Sequence, residues 1–136
     1  MANSQRLLGL YDVPMWESIS EKNWKLQCCA NCGKYRYPPA PICDKCLSME
    51  YEWKPISGKG TILSWVRFHR KYFDDNPPPY NNIAVQLDEG PFVVSNLVGA
   101  EPDNSFIGKR VSVIYEPHLD YILPKFELDK EDAKAA

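Results

Sequence analysis

The sequence predicts a mainly β chain made of an N-terminal helical segment, a zinc ribbon and a five-stranded OB-fold barrel. Three observations carry this. Two Cys-x-x-Cys pairs, Cys29 with Cys32 and Cys43 with Cys46, are separated by ten residues. From Thr61 to Leu128, short apolar runs with β-branched and aromatic residues alternate with turn residues. Twelve prolines against seven glycines leave little room for long helices. The expected organisation is helical segment 1–23, ribbon 24–50, OB-fold 51–128 and a charged, alanine-rich tail 129–136 that frays.

The helix is expected from about Val13 to Lys22. Asp12 offers a carboxylate to cap free N–H groups, and Pro14 is tolerated in a first turn. Met15, Trp16 and Ile19 form one apolar face, which must dock on the core or on a partner because so short a helix is unstable alone. Trp24 and Leu26 alternate with Lys25 and Gln27, the pattern of a strand leading into the first knuckle.

A two-residue gap lets a tight turn aim two sulfurs inward while backbone N–H groups face them, and Gly33 supplies permissive backbone just after the second sulfur. Two such knuckles bring Cys29, Cys32, Cys43 and Cys46 to the corners of a tetrahedron, the geometry of a closed structural zinc site. Two disulfides, a thioredoxin-like redox pair and an iron centre of rubredoxin type are the competing readings, and iron is the sharpest of them. Cys28 precedes the first ligand and should point away from the metal as a small buried hydrophobe.

Between the knuckles, Pro38, Pro39 and Pro41 enforce an extended path. Tyr35 and Tyr37 either cover the ribbon or, with Pro38 and Pro39, form a ledge for a partner. Beyond Gly58-Lys59-Gly60, a long strand runs from Thr61 to His69, with Ile62, Val66 and Phe68 on one face and Leu63 and Trp65 on the other. Ile83 to Leu87 and Phe92 to Val98 form a hairpin around Asp88-Glu89-Gly90-Pro91. Val111, Val113 and Tyr115 mark a fourth strand. Tyr121 to Leu128, interrupted by Pro124, marks a fifth that belongs at an edge. So few strands cannot bury two faces as an open sheet and should curl into an OB-fold. Gly99 to Gly108 has room for one helical turn at most.

Arg70 to Tyr80 is the longest irregular stretch, with Tyr72, Phe73, Tyr80, three consecutive prolines and an Arg70-Lys71 pair. It is the leading candidate interaction surface.

The formal net charge of −2 and pI near 5.7 argue against nucleic-acid binding, the alternative that OB-folds and ribbons otherwise invite. No apolar run is long enough to span a membrane and no secretory pattern opens the chain, so the expected location is cytoplasmic. His69 and His118 lie on separate elements outside any triad or Glu-x-x-His pattern. A four-thiolate site leaves no open position for Lewis-acid catalysis.

These features together resemble a family of small acyl-CoA-associated proteins with an N-terminal helical segment, a rubredoxin-like zinc ribbon and an OB-fold. The matching stretches are Cys29 to Gly33, Tyr37-Pro38-Pro39, Cys43 to Cys46, Gly58 to Thr61, Ile107-Gly108-Lys109 and Leu123 to Phe126. Two positions depart: Ala40 where many members carry arginine, and Leu47 where they carry glycine. The resemblance implies a non-catalytic subunit that assembles with a thiolase-like enzyme, or less often with an enoyl-CoA hydratase. It implies structural zinc and CoA or acyl-CoA near the shared interface. Arg70 and Lys71 then become candidates for the CoA phosphates, and Tyr35, Tyr37, Pro38, Pro39, Tyr72, Phe73 and Tyr80 for the partner interface.

Overall fold

The computed structural model describes residues 6–129; apart from Asp129, the tail expected to fray lies outside the described residues. Among the described residues, one helix, α1 (Val13–Ser20), is followed by eight strands: β1 (Lys25–Cys29), β2 (Tyr35–Arg36), β3 (Tyr51–Pro55), β4 (Lys59–Phe68), β5 (Tyr80–Leu87), β6 (Phe92–Ser95), β7 (Arg110–His118) and β8 (Tyr121–Leu128). They form two antiparallel sheets, β2-β1-β3 and β6-β5-β4-β7-β8. An isolated parallel bridge between Leu97 and Phe126 joins the two edges of the larger sheet and curls it into the expected OB-fold.

Helix α1 starts where the sequence places it, but the cap differs. The Asp12 carboxylate turns back to accept the Gly9 N–H at 2.6 Å and makes no bond into the first turn. Pro14 stands at the second helical position and has no N–H to offer a cap. The helix ends at Ser20, two residues early, because Lys22 enters the left-handed region at φ 60°. Met15 and Ile19 are buried, so the apolar face serves the core, while Trp16 packs edge-on against Tyr121 with the Arg6 guanidinium over both rings.

In β4 the expected faces change at a bulge. Ile62 pairs with Val85 and Ser64 with Ala84, so Leu63 is the extra residue and the alternation shifts by one. Ile62 and Trp65 therefore both face the core, Trp65 stacked 4.2 Å from Phe106, whereas Leu63 and Val66 are exposed. Phe68 stacks on Tyr80 outside that core. No helix forms between Gly99 and Gly108; Phe106 from this stretch fills the barrel.

The core is continuous across both sheets: Met15, Ile19, Trp24 and Leu26 cluster with Ile62, Val85, Phe106, Val111 and Phe126. A hydrogen bond fastens the seam: the Tyr115 hydroxyl on β7 accepts the Trp24 N–H at 3.0 Å, while the Trp24 carbonyl, accepting the Ile56 N–H at 3.0 Å, extends the β1–β3 ladder. Gly58 and Gly60 mark close approaches at the start of β4. A Cβ on Gly58 would collide with Val113 Cγ1, and one on Gly60 would meet the Gln86 carbonyl at 2.5 Å.

Candidate metal centre

The four predicted cysteines converge. The sulfurs of Cys29, Cys32, Cys43 and Cys46 all lie within 4.8 Å of one another, close enough to share one ion. All five cysteines are free thiols, and the shortest approaches, Cys29 to Cys46 and Cys32 to Cys43, are 3.5 Å. Those separations are far beyond a disulfide bond of about 2.05 Å. Cys28 sits outside the cluster, 6% exposed, with its sulfur 3.4 Å from the Gly33 carbonyl.

Local backbone builds each knuckle. The Gly33 N–H donates to the Cys29 carbonyl, and Gly33 takes φ 80°; in the second knuckle the Leu47 N–H donates to the Cys43 carbonyl, and Leu47 takes φ 64°. Leucine thus occupies a left-handed position that glycine adopts without strain. The Cys32 N–H faces the Cys29 sulfur at 3.5 Å and the Lys45 N–H faces the Cys43 sulfur at 3.4 Å. Such donors stabilise thiolates.

The sulfurs divide the charge unequally. The Cys32 N–H holds the Cys29 thiol down at about 5, and the N–H groups of Cys46 and Lys45 lower Cys43. Cys32 gains from the Lys34 N–H, yet desolvation and the neighbouring sulfurs of Cys43, Cys46 and Cys29 push it up to about 11. Four thiols this close cannot all ionise together without a cation, and a divalent ion removes that constraint. Four soft donors in a closed array suit zinc and complete its coordination, so the site fits a structural metal.

The surroundings add two features absent from the sequence-based expectations. Arg36, 5% exposed, donates to the carbonyls of Ala40, Ser48 and Glu50 and lies over the Tyr51 ring, tying the segments around the second knuckle together. Lys34 pairs with Asp44 at 2.7 Å. A buried arginine on a two-residue strand leaves no periodic signal, although opposite charges beside two knuckles are a usable one.

The other candidates occupy two separate places. Tyr35 and Tyr37 line a cleft of about 510 Å³ with Pro38, Ile42 and Phe92, between the ribbon and the β5–β6 turn. Tyr35 and Pro39 are half-buried, and Tyr37 and Pro38 are exposed. The stretch from Arg70 to Tyr80 contributes nothing to that cleft. Within it, Arg70 lies over Tyr72, Lys71 pairs with Asp74 at 3.1 Å, and Tyr72 and Phe73 are exposed. Tyr80 belongs to β5 and stacks on Phe68. Asp75 bonds His118 at 2.6 Å, which secures this loop to the β7–β8 hairpin.

The ChsH2 rubredoxin-like zinc ribbon domain matches residues 16–52, and the ChsH2 C-terminal OB-fold domain matches residues 53–116. A DUF35 domain-containing scaffold protein of Methanothermobacter thermautotrophicus is 32% identical over 107 residues, 76% of this chain and 80% of that protein. The chain belongs to the DUF35 family. A chain of the Ltp2-ChsH2(DUF35) aldolase superposes with a TM-score of 0.83 at 28% identity, covering 91% of this DUF35 chain and 98% of that one. A probable enoyl-CoA hydratase alpha subunit of Thermomonospora curvata is 32% identical over 85% of this chain, which spans only 37% of its length. Among the described residues, no helix is long and apolar enough to cross a membrane.

Proposed function

We propose that this DUF35 chain is a non-catalytic zinc-binding subunit that assembles with a thiolase-like acyl-CoA enzyme and helps form its CoA-binding region. The observation that carries the accessory-subunit role is the likeness over nearly the full length of the DUF35 chain of the Ltp2-ChsH2 aldolase, and the thiolase-like partner rests on the family resemblance. The names of related scaffold proteins point the same way. The chemistry agrees: the four sulfurs close the metal site, and His118 is engaged by Asp75 with neither a serine nor a cysteine hydrogen-bonded to it among the described residues. Arg70 and Lys71 are proposed to meet the CoA phosphates, and Tyr35, Tyr37, Pro38, Pro39, Tyr72, Phe73 and Tyr80 to form the partner surface, in the cytoplasm.

A second reading is that the partner is an enoyl-CoA hydratase, favoured by the hydratase alpha subunit similar to this chain. Affinity purification from native cells, with the partner identified by mass spectrometry, separates the two. A thiolase-like partner whose activity falls when this chain is withheld supports the first reading. A hydratase partner supports the second, and thiolysis or hydration of acyl-CoA by the chain alone overturns both.

A further inference from the structure

The two knuckles are held together unevenly. On the buried side, the Ala30 N–H donates to the Glu50 carbonyl and Arg36 to the carbonyls of Ser48 and Glu50. Cys29 and Cys43 are buried there, whereas Cys32 and Cys46 are partly exposed. An exposed ion pair, Lys34 Nζ to Asp44 Oδ1 at 2.7 Å, also spans the knuckles. Lys34 immediately follows the first knuckle, and its carbonyl accepts the Cys29 N–H at 2.8 Å, while Asp44 directly follows Cys43. Separating the knuckles to release an ion must stretch this pair.

We infer that Lys34 and Asp44 form a clasp that slows metal loss from the ribbon. The clasp makes a counterintuitive demand on Asp44. Four thiolates around a divalent cation leave a dianionic cluster, so an adjacent carboxylate acting through charge alone weakens metal retention. Removing it would then slow release; opening a clasp instead speeds it.

The test mixes the zinc-loaded full chain with excess 4-(2-pyridylazo)resorcinol and follows release by absorbance, comparing the parent with Lys34→Met, Asp44→Asn and the reversed pair Lys34→Asp/Asp44→Lys. Both single variants are expected to release zinc about two- to fivefold faster at low salt, the range of an exposed ion pair. The reversed pair returns toward the parent rate, and the differences shrink at about 1 M salt. Release from Asp44→Asn that is slower than or equal to the parent, release from Lys34→Met that matches the parent, or a reversed pair as fast as the single variants overturns the clasp.

Discussion

At the residue scale the cysteines dominate, because their spacing alone encodes the site. Metal binding needs thiolates and therefore competes with protons. Protons compete with the metal for the four clustered sulfurs, so zinc affinity should weaken as pH falls, with release into a chelator measured across the acid range. Cys43→Ser replaces a buried soft donor with a poor one and should drop metal content below one zinc per chain. Full zinc content in that variant would refute the assignment. Leu47 provides a second test at this scale. It is 73% exposed and left-handed, so Leu47→Gly removes backbone strain without removing buried surface. Thermal unfolding should show a gain of up to about 1 kcal/mol, since the strain relieved exceeds the entropy that glycine adds to the unfolded chain. The departure at Leu47 was visible in the sequence, but its strained conformation needed the knuckle's hydrogen bonds to be seen.

At the element scale, much of the barrel was legible from alternation and punctuation, and the failures have identifiable causes. The hairpin β5–β6, the edge position of β8 and the turn signal Asp88 to Pro91 follow from local sequence. The bulge at Leu63 does not, because β4 carries apolar residues on both faces, so a one-residue shift that reverses every face beyond it leaves no mismatch of polarity to read. Non-local pairs were also hidden: Asp75 and His118 meet across 43 sequence positions, and Asp88 meets Arg110 across 22. The latter pair fixes the β5–β6 turn to β7 with two bonds of 2.7 and 2.8 Å, and Arg110 reaches Thr61 as well. The Arg110 guanidinium lowers the Asp88 carboxyl below its ordinary range. A depressed folded-state pKa contributes stability above the unfolded value of about 4, and the contribution disappears as pH falls through the folded value. Asp88→Asn should thus cost up to about 1 kcal/mol at neutral pH in denaturant titrations, after allowance for solvent screening. The difference from the parent should close below about pH 4. An equal deficit at both pH values would show that the carboxylate charge is not the cause.

At the scale of the whole molecule, the continuous core makes ribbon and barrel one support, and the loop between β4 and β5 is mounted on it. The mounting is asymmetric. Asp75, with a side chain only 7% exposed, anchors the rear of the loop to His118, and Tyr80 is stacked on Phe68. Tyr72 and Phe73 remain 45% and 43% exposed, so the aromatic surface is presented from a fixed base. Aromatic side chains held in this way lose little conformational freedom on docking and carry a large share of interface energy. Lys71 differs, because its ammonium is already paired with Asp74 in an exposed setting and can exchange that carboxylate for a phosphate with little loss. The proposed assembly therefore separates the two roles. Phe73→Ala should weaken complex formation by about 1 kcal/mol or more, read by calorimetric titration with the purified partner. Lys71→Ala should leave that affinity nearly unchanged while raising the apparent acyl-CoA constant several-fold at low salt, an effect that fades as salt rises. Hydrogen exchange supplies the independent check: amides from Arg70 to Asn76 should gain protection on assembly, and equal exchange in the free and assembled protein would remove this loop from the interface.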